Sequence, residues 1–241
     1  MLHIHRYKII LLSTLLLLAN AVCTAQRTFN LPEFEDRKAY YGLTFGYNKS
    51  SFKSSMHPQF LETDSVYSAQ PLFASGFNFG FIATLKLTRR FELRYNPQLV
   101  FAEKNILYHL KYPQSINDET EYMTKKIESI IVSNPIQLKL NSDRINNFSF
   151  YVFGGIKLDV DVASNARKKR AEQLVKIDYL DTGIEAGLGL QFYFKYFIFT
   201  PEVKISNGRN NIHFREAPLK FSNVIDQLRS RMIVFSLHLQ G

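Results

Sequence analysis

Tryptophan is absent from this chain of 241 residues, and cysteine occurs once, at Cys23. A single thiol excludes a disulfide framework and a cysteine-ligated metal site. Beyond the N-terminal region no stretch comes near the roughly eighteen consecutive apolar residues of a spanning helix, so a transmembrane helix is excluded. The later histidines, His57, His109, His213 and His238, have neither HExxH nor any other metal-ligand spacing, and no metal or cofactor is expected. Thirty Lys and Arg against twenty-one Asp and Glu leave a formal charge of +9. Those charges are spread through the chain, without the interleaved aromatics of a nucleic-acid motif, so no nucleic-acid partner is expected. Catalytic constellations are equally thin. Ser236 and His238 share one strand face and Glu202 could approach them, as in a lipid hydrolase. Polar pairs two apart are, however, ordinary on the inner face of a barrel, and the chain reads as a non-enzyme.

Apolar and aromatic residues are plentiful, with 21 Phe and 13 Tyr. His3, His5, Arg6 and Lys8 precede an apolar run over 9–18, followed by small residues up to Ala25. This is a secretory signal over 1–25 with cleavage after Ala25. Acylation at Cys23 is the alternative, and Val22 and Asn20 suit it poorly. Cleavage removes the only cysteine, together with Arg6 and Lys8, and lowers the charge to +7 (9 minus 2). Residues 26–39 read as a polar periplasmic lead-in, and 40–241 as a single barrel.

The organising pattern is the stretch 75–101. Phe77, Phe79, Phe81, Ala83, Leu85 and Leu87 alternate with Asn78, Gly80, Thr84 and Lys86, with Ile82 the one apolar residue among the polar set. After Thr88-Arg89-Arg90 the alternation resumes with Phe91, Leu93, Tyr95, Leu99 and Phe101 against Glu92, Arg94, Asn96 and Gln98. Period two on both sides of a tight turn is an antiparallel hairpin. Similar runs are read at 40–52, 127–140, 148–162, 179–194, 197–205 and 228–239. Pro135 lies inside the fourth strand, where a bulge or an unpaired N–H is expected.

The connections alternate long (49–72, 103–125, 163–178 and 206–226) with short. The expected fold is all-β: an eight-stranded antiparallel transmembrane β-barrel with long outer loops and short periplasmic turns. Tyr40, Phe91, Phe148, Phe194 and Phe197 are assigned to a periplasmic aromatic girdle, and Arg231 to a snorkelling position at the outer rim. A soluble ligand-binding barrel would reverse the two faces. The signal, the loop asymmetry and the width of the apolar band favour the membrane, and hence the outer membrane.

Inward positions then form a lumen charge network of Lys86, Glu92, Arg94, Lys139, Lys157, Asp159, Asp161, Glu185, Glu202 and Lys204. Mixed signs allow pairing, and inward Tyr151 and Phe153 add bulk, so the lumen reads as a plug in preference to an ion path. Arg167, Lys168, Lys169 and Arg170 in the third long loop could hold lipopolysaccharide phosphates or an acidic partner surface, or be a solvated loop.

Several segments carry a family resemblance. They are Asn30-Leu31-Pro32-Glu33-Phe34-Glu35-Asp36 before Tyr41-Gly42-Leu43-Thr44-Phe45-Gly46-Tyr47-Asn48, and Arg144-Ile145-Asn146-Asn147 with Gly154-Gly155. Further along come Asp161-Val162-Ala163-Ser164-Asn165, the run from Phe192 to Lys204, and Ser206-Asn207-Gly208. In this order they resemble the PorT family (also called SprT) of Bacteroidota, an outer-membrane component of type IX secretion and gliding. Lys195 departs from it, where Pro is the expected turn residue. The resemblance implies a role in exporting large cargo and partners among other secretion-machinery subunits. An eight-stranded filled barrel is too narrow to be the conduit, so an accessory or assembly role is expected. The alternative is a small outer-membrane adhesin or surface-binding barrel acting through its long loops. Outer-membrane lipid and lipopolysaccharide are expected neighbours in either case.

Overall fold

The alternating runs assemble into antiparallel ladders that close on themselves. A computed structural model describes residues 29–58, 66–111, 120–164, 176–214 and 220–241. The signal region with Cys23, and the basic run Arg167–Arg170, lie outside the described residues. The main strands are β1 (Ala39–Met56), β2 (Val66–Lys86), β3 (Phe91–Tyr95), β4 (Gln98–Leu110), β5 (Tyr122–Asn141) and β6 (Phe148–Asp161). They continue, after the two-residue β7 (Lys176–Ile177), with β8 (Leu180–Tyr193) and β9 (Ile198–Gly208). After a second short strand, β10 (His213–Phe214), comes β11 (Ile225–Gln240). Strand β1 pairs with both β2 and β11, and β3 and β4 share one place in the ring. The result is the expected eight-stranded antiparallel barrel. No helix among the described residues is long and apolar enough to cross a membrane.

One end carries the short turns at 87–90, 142–147 and 194–197. At the other end β7 pairs with β10, and a helical turn, Lys220–Asn223, precedes β11. Between the ends the outer face is apolar. Tyr41, Phe45, Phe81, Phe91, Leu138, Ile156, Leu188 and Leu237 are all exposed there, while the polar positions between them are buried. A band of this kind is stable against hydrocarbon and not against water.

The strands run further than the sequence pattern suggested. Positions 53–56 and 66–72, assigned to loop by the sequence pattern, belong to β1 and β2, and 103–110 and 122–125 belong to β4 and β5. The ladder continues, but the polarity of its faces inverts. On β5 the outward Ile130, Val132, Ile136 and Leu138 give way to Thr124, Lys126 and Glu128, while the inward face changes from Lys139 and Gln137 to Ile127. Inside the long-loop end Phe52, Val66, Ile106, Tyr108, Leu110, Ile127, Phe221, Ile225 and Leu228 form an apolar core. That end is built like a water-soluble barrel, because its outer face no longer meets lipid. The apolar-out pattern stops where the lipid does, although the hydrogen bonding continues.

Two smaller expectations also change. Tyr40 is not a girdle residue: it is 1% exposed and points inward, and Tyr41 takes the outward place. Alternation with Leu43 and Phe45 requires this. Pro135 lies within an unbroken β5, and the interruption falls on its neighbour, between Tyr95 and Gln98. The pairs Tyr95↔Ile136 and Gln98↔Ser133 keep one register across the gap. No residue is inserted; two prolines, Pro97 and Pro135, simply withhold donors from the same part of the ladder.

Candidate functional site

The lumen is filled in layers, beginning at the short-turn end with the lead-in. Phe34, within the 3₁₀ turn Pro32–Phe34, is buried against Tyr40 and Tyr193, with ring centroids 4.8 and 6.0 Å apart. Lys86 is only half-buried. Its Nζ donates to the carbonyls of Phe34 and Glu35 and lies 4.2 Å from the Phe34 ring centroid. The Arg144 guanidinium stacks 3.8 Å from the Tyr193 ring centroid. Lys86 thus fastens the lead-in across the mouth and makes no ion pair with the interior carboxylates.

Deeper in, β3 and β5 place Glu92 and Lys139 side by side, with Nζ 2.8 Å from Oε2 and Tyr40 donating to the same oxygen at 2.7 Å. Arg94 of β3 reaches Glu202 of β9 at 2.6 Å. Tyr151 of β6 also donates to Glu202 Oε2, at 2.6 Å. The Arg94 guanidinium also lies over two neighbouring aromatic rings of β6, its Cζ 4.6 Å from the Phe153 centroid and 5.6 Å from that of Tyr151. Arg94 donates to Gln137 Oε1, whose amide donates to Glu185, and Lys204 pairs with Glu185 at 3.1 Å. Bulky Tyr151 and Phe153 fit because β8 offers Gly189 and Gly187 directly opposite them. A side chain on Gly189 would collide with the Tyr151 ring.

The third layer holds the Lys157–Asp159 pair, Ser133 donating to Asp159 at 2.6 Å, and Ser230 donating to Asp181. Lys104 lies here, 2% exposed, over the Phe52 ring. Lys104, Lys157, Asp159, Asp161 and Asp181 line a cavity of about 20 Å³, which suits one water molecule. Asp161 Oδ2 and Asp181 Oδ1 have no hydrogen-bond partner among protein atoms. The apolar core of the long-loop end lies beyond this layer.

Nine of the ten charged residues assigned to the lumen from the sequence are buried there, and Lys86 is the one at the rim. Lys104 and Asp181 belong with them and were missed. Asp181 had a legible signal, since it shares a strand face with Glu185 four residues on. Lys104 falls within 103–125, which the sequence pattern assigns to a loop because the outward face of β4 turns polar at Glu103. Among the described residues, five buried cations (Arg94, Lys104, Lys139, Lys157 and Lys204) face six buried carboxylates (Glu92, Asp159, Asp161, Asp181, Glu185 and Glu202). Near balance is what permits so many charges away from bulk water.

His238 is fully buried, with Nε2 3.3 Å from Glu202 Oε2. Ser236 Oγ has no hydrogen-bond partner. The His–acid contact therefore does not extend to a serine, and Glu202 is already held by Arg94 and Tyr151. Chemically, the arrangement fixes charges across the barrel; it does not aim a nucleophile.

A family model described as outer membrane protein beta-barrel domain matches residues 24–214. Three solved structures are similar to the chain. One is Ail, the attachment invasion locus protein of Yersinia pestis, in complex with the heparin analogue sucrose octasulfate (10% identity, 85% of this chain and 100% of that one, TM-score 0.37). The second is Neisserial surface protein A (12% identity, 84% and 98%, TM-score 0.38). The third is OprG of Pseudomonas aeruginosa (12% identity, 85% and 96%, TM-score 0.40). No curated protein matches the chain by sequence.

Proposed function

Because the chain belongs to the family of outer membrane protein β-barrel domains, we propose that it serves there as an accessory or assembly subunit of a protein-secretion machine and not as its conduit. The machine is the type IX secretion and gliding apparatus implied by the resemblance to the PorT/SprT family. The observation that carries the non-conduit part is the Arg94–Glu202 contact across the lumen, with both side chains fully buried. A polypeptide cannot pass without breaking that pair and displacing Tyr151 and Phe153. Contacts with other subunits then fall to the outer loops, including Arg167–Arg170, to the lead-in at the periplasmic mouth, and to the wall. No catalytic step is assigned to the chain.

Deletion of the gene tests this directly. Cargo with a C-terminal secretion signal should stop reaching the cell surface, and a copy carrying the paired substitutions Arg94→Met and Glu202→Met should restore delivery. Normal delivery in the deletion strain would end the secretion reading. An adhesin or surface-binding role is the second reading. It draws on the long-loop end, where the strands rise beyond the apolar band around their own core and make a firm platform for loops. Loss of surface attachment with intact secretion would favour it.

A further inference from the structure

One sector of the outer wall differs from the rest, and it lies on β1, β11 and β9. Outward positions on β1 run Phe45, Tyr47, Lys49 and, beyond Ser51, Lys53. Those on β11 run Leu237, Phe235, Ile233, Arg231 and Arg229. Those on β9 run Val203, Ile205 and Asn207, with Arg209 just past the strand end. Each strand changes from apolar to basic in the same direction, toward the long-loop end. The register brings the cations together: Lys53 is directly opposite Arg229, Ser51 opposite Arg231, and Arg231 opposite Asn207. Like charges directly opposite on adjacent strands are destabilising unless an anion comes between them. Among the described residues none of Lys49, Lys53, Arg209, Arg229 and Arg231 makes an ion pair. The far wall carries both signs, with Glu103 of β4 directly opposite Glu128 of β5 and Lys126 two residues away.

Below the cations on the same strands, and extending onto β8, lies a lipid-facing furrow of about 610 Å³. Phe45, Tyr47, Leu188, Pro201, Val203 and Phe235 line it. From Phe235 to Arg231 is four residues, about 13 Å along a strand, so the furrow ends within reach of the basic cluster. We infer that this sector is a binding site for a lipid with phosphate on its head group, drawn from the outer leaflet. Its acyl chains lie in the furrow and its phosphates between Lys53, Arg229, Arg231 and Lys49. The apolar furrow decides for a lipid over an acidic protein surface, and the cations decide for a phosphorylated head group over a neutral one. Guanidinium pairs with phosphate through two parallel hydrogen bonds. The inference rests on the barrel lying in the outer membrane with its long loops outward.

The experiment uses the full chain in detergent and native mass spectrometry, with diphosphorylated lipid A as the probe. The same lipid with its phosphates removed and inorganic pyrophosphate serve as comparators. Wild-type protein should retain diphosphorylated lipid A. The combined variant K49S/K53S/R229S/R231S should bind it at least tenfold more weakly, and Lys126→Ser on the far wall should not. Removal of the phosphates should cost as much as the combined variant, and pyrophosphate alone should bind far more weakly than the lipid. Equal retention by the combined variant, or equal binding of dephosphorylated lipid, overturns the site. The change in gel migration on heating, read on the same samples, reports the folded barrel. A variant that keeps the shift and loses the lipid supports the site. A wild-type chain without the shift overturns the membrane reading beneath it.

Discussion

Arg94 and Glu202 stand four strands apart in either direction around an eight-stranded ring, and their charged groups meet at 2.6 Å with no solvent exposure on either side chain. They are a brace across the full width of the barrel. The pair sets the first expectation.

Removing one partner strands the other in a closed interior. Arg94→Met or Glu202→Met should destabilise the barrel by about 3–5 kcal/mol. The double substitution should lie nearer to wild type than either single one. Urea unfolding followed by the heat-dependent gel shift measures all three, and strictly additive losses would remove the case for a direct brace.

Packing against the brace is tight on the glycine side of β8. Gly189→Val would push the Tyr151 ring and disturb its 2.6 Å hydrogen bond to Glu202. We expect a loss of about 1–3 kcal/mol, typical of an overfilled core. The same substitution at Gly154, where an added Cβ would meet nothing nearer than the Glu185 carbonyl at 4.0 Å, should cost much less. Comparing the two urea midpoints decides the point.

The inverted polarity of β5 predicts opposite tolerances on one strand face. Ile136→Arg places a charge in the apolar band and should cost about 2–4 kcal/mol of stability in lipid. Glu128→Arg, on the same outward face above the band, should be near neutral. The inner face of the long-loop end reverses the rule: Ile127→Lys should destabilise. Folding yields into lipid vesicles distinguish these cases, and equal penalties at 128 and 136 would contradict the assigned edge of the band.

At the short-turn mouth the segment before β1 is held by the buried Phe34 ring together with the Lys86 hydrogen bonds. Phe34→Ala should cost about 3–5 kcal/mol locally and expose the segment before Ala39 to protease. The barrel itself should keep its gel shift. A digestion pattern unchanged from wild type would mean that the cap does not depend on Phe34.

Electrical measurement addresses the filled lumen as a whole. Purified protein in planar bilayers should give no discrete conductance steps, because charge pairs and the apolar core of the long-loop end occupy the path in series. Stable, protein-dependent steps would contradict the plugged interior. Phe52→Ala alone should not create them, since the ionic layers remain.

Much of this was legible along the chain, and the hairpin at 75–101 illustrates why. A strand has a side-chain period of two, so Phe77, Phe79 and Phe81 fix which face Asn78 and Thr84 must take, and Phe91, Leu93 and Tyr95 do the same for Arg94. That local rule sorts the side chains into two faces and groups most of the buried charges on one of them. It failed where the surroundings changed and the ladder did not. Past Phe101 and before Ile130 the outer solvent is no longer lipid, the favoured outward residue becomes polar, and the strand reads as loop. Lys104 lies in that stretch, which hides its inward place.

The sequence by itself determined the fold class and which residues share a face, because both follow from alternation within a single strand; the signal region, the loop asymmetry and the width of the apolar band then pointed to the apolar face as the outer one. Tertiary structure alone decided which charges meet. Arg94 with Glu202, Tyr151 against Gly189, Lys86 on the lead-in carbonyls and Lys53 opposite Arg229 all depend on strand register and on closure of the ring. Period two gives a side chain its face, but its partners are set by the stagger of strands far apart in the chain.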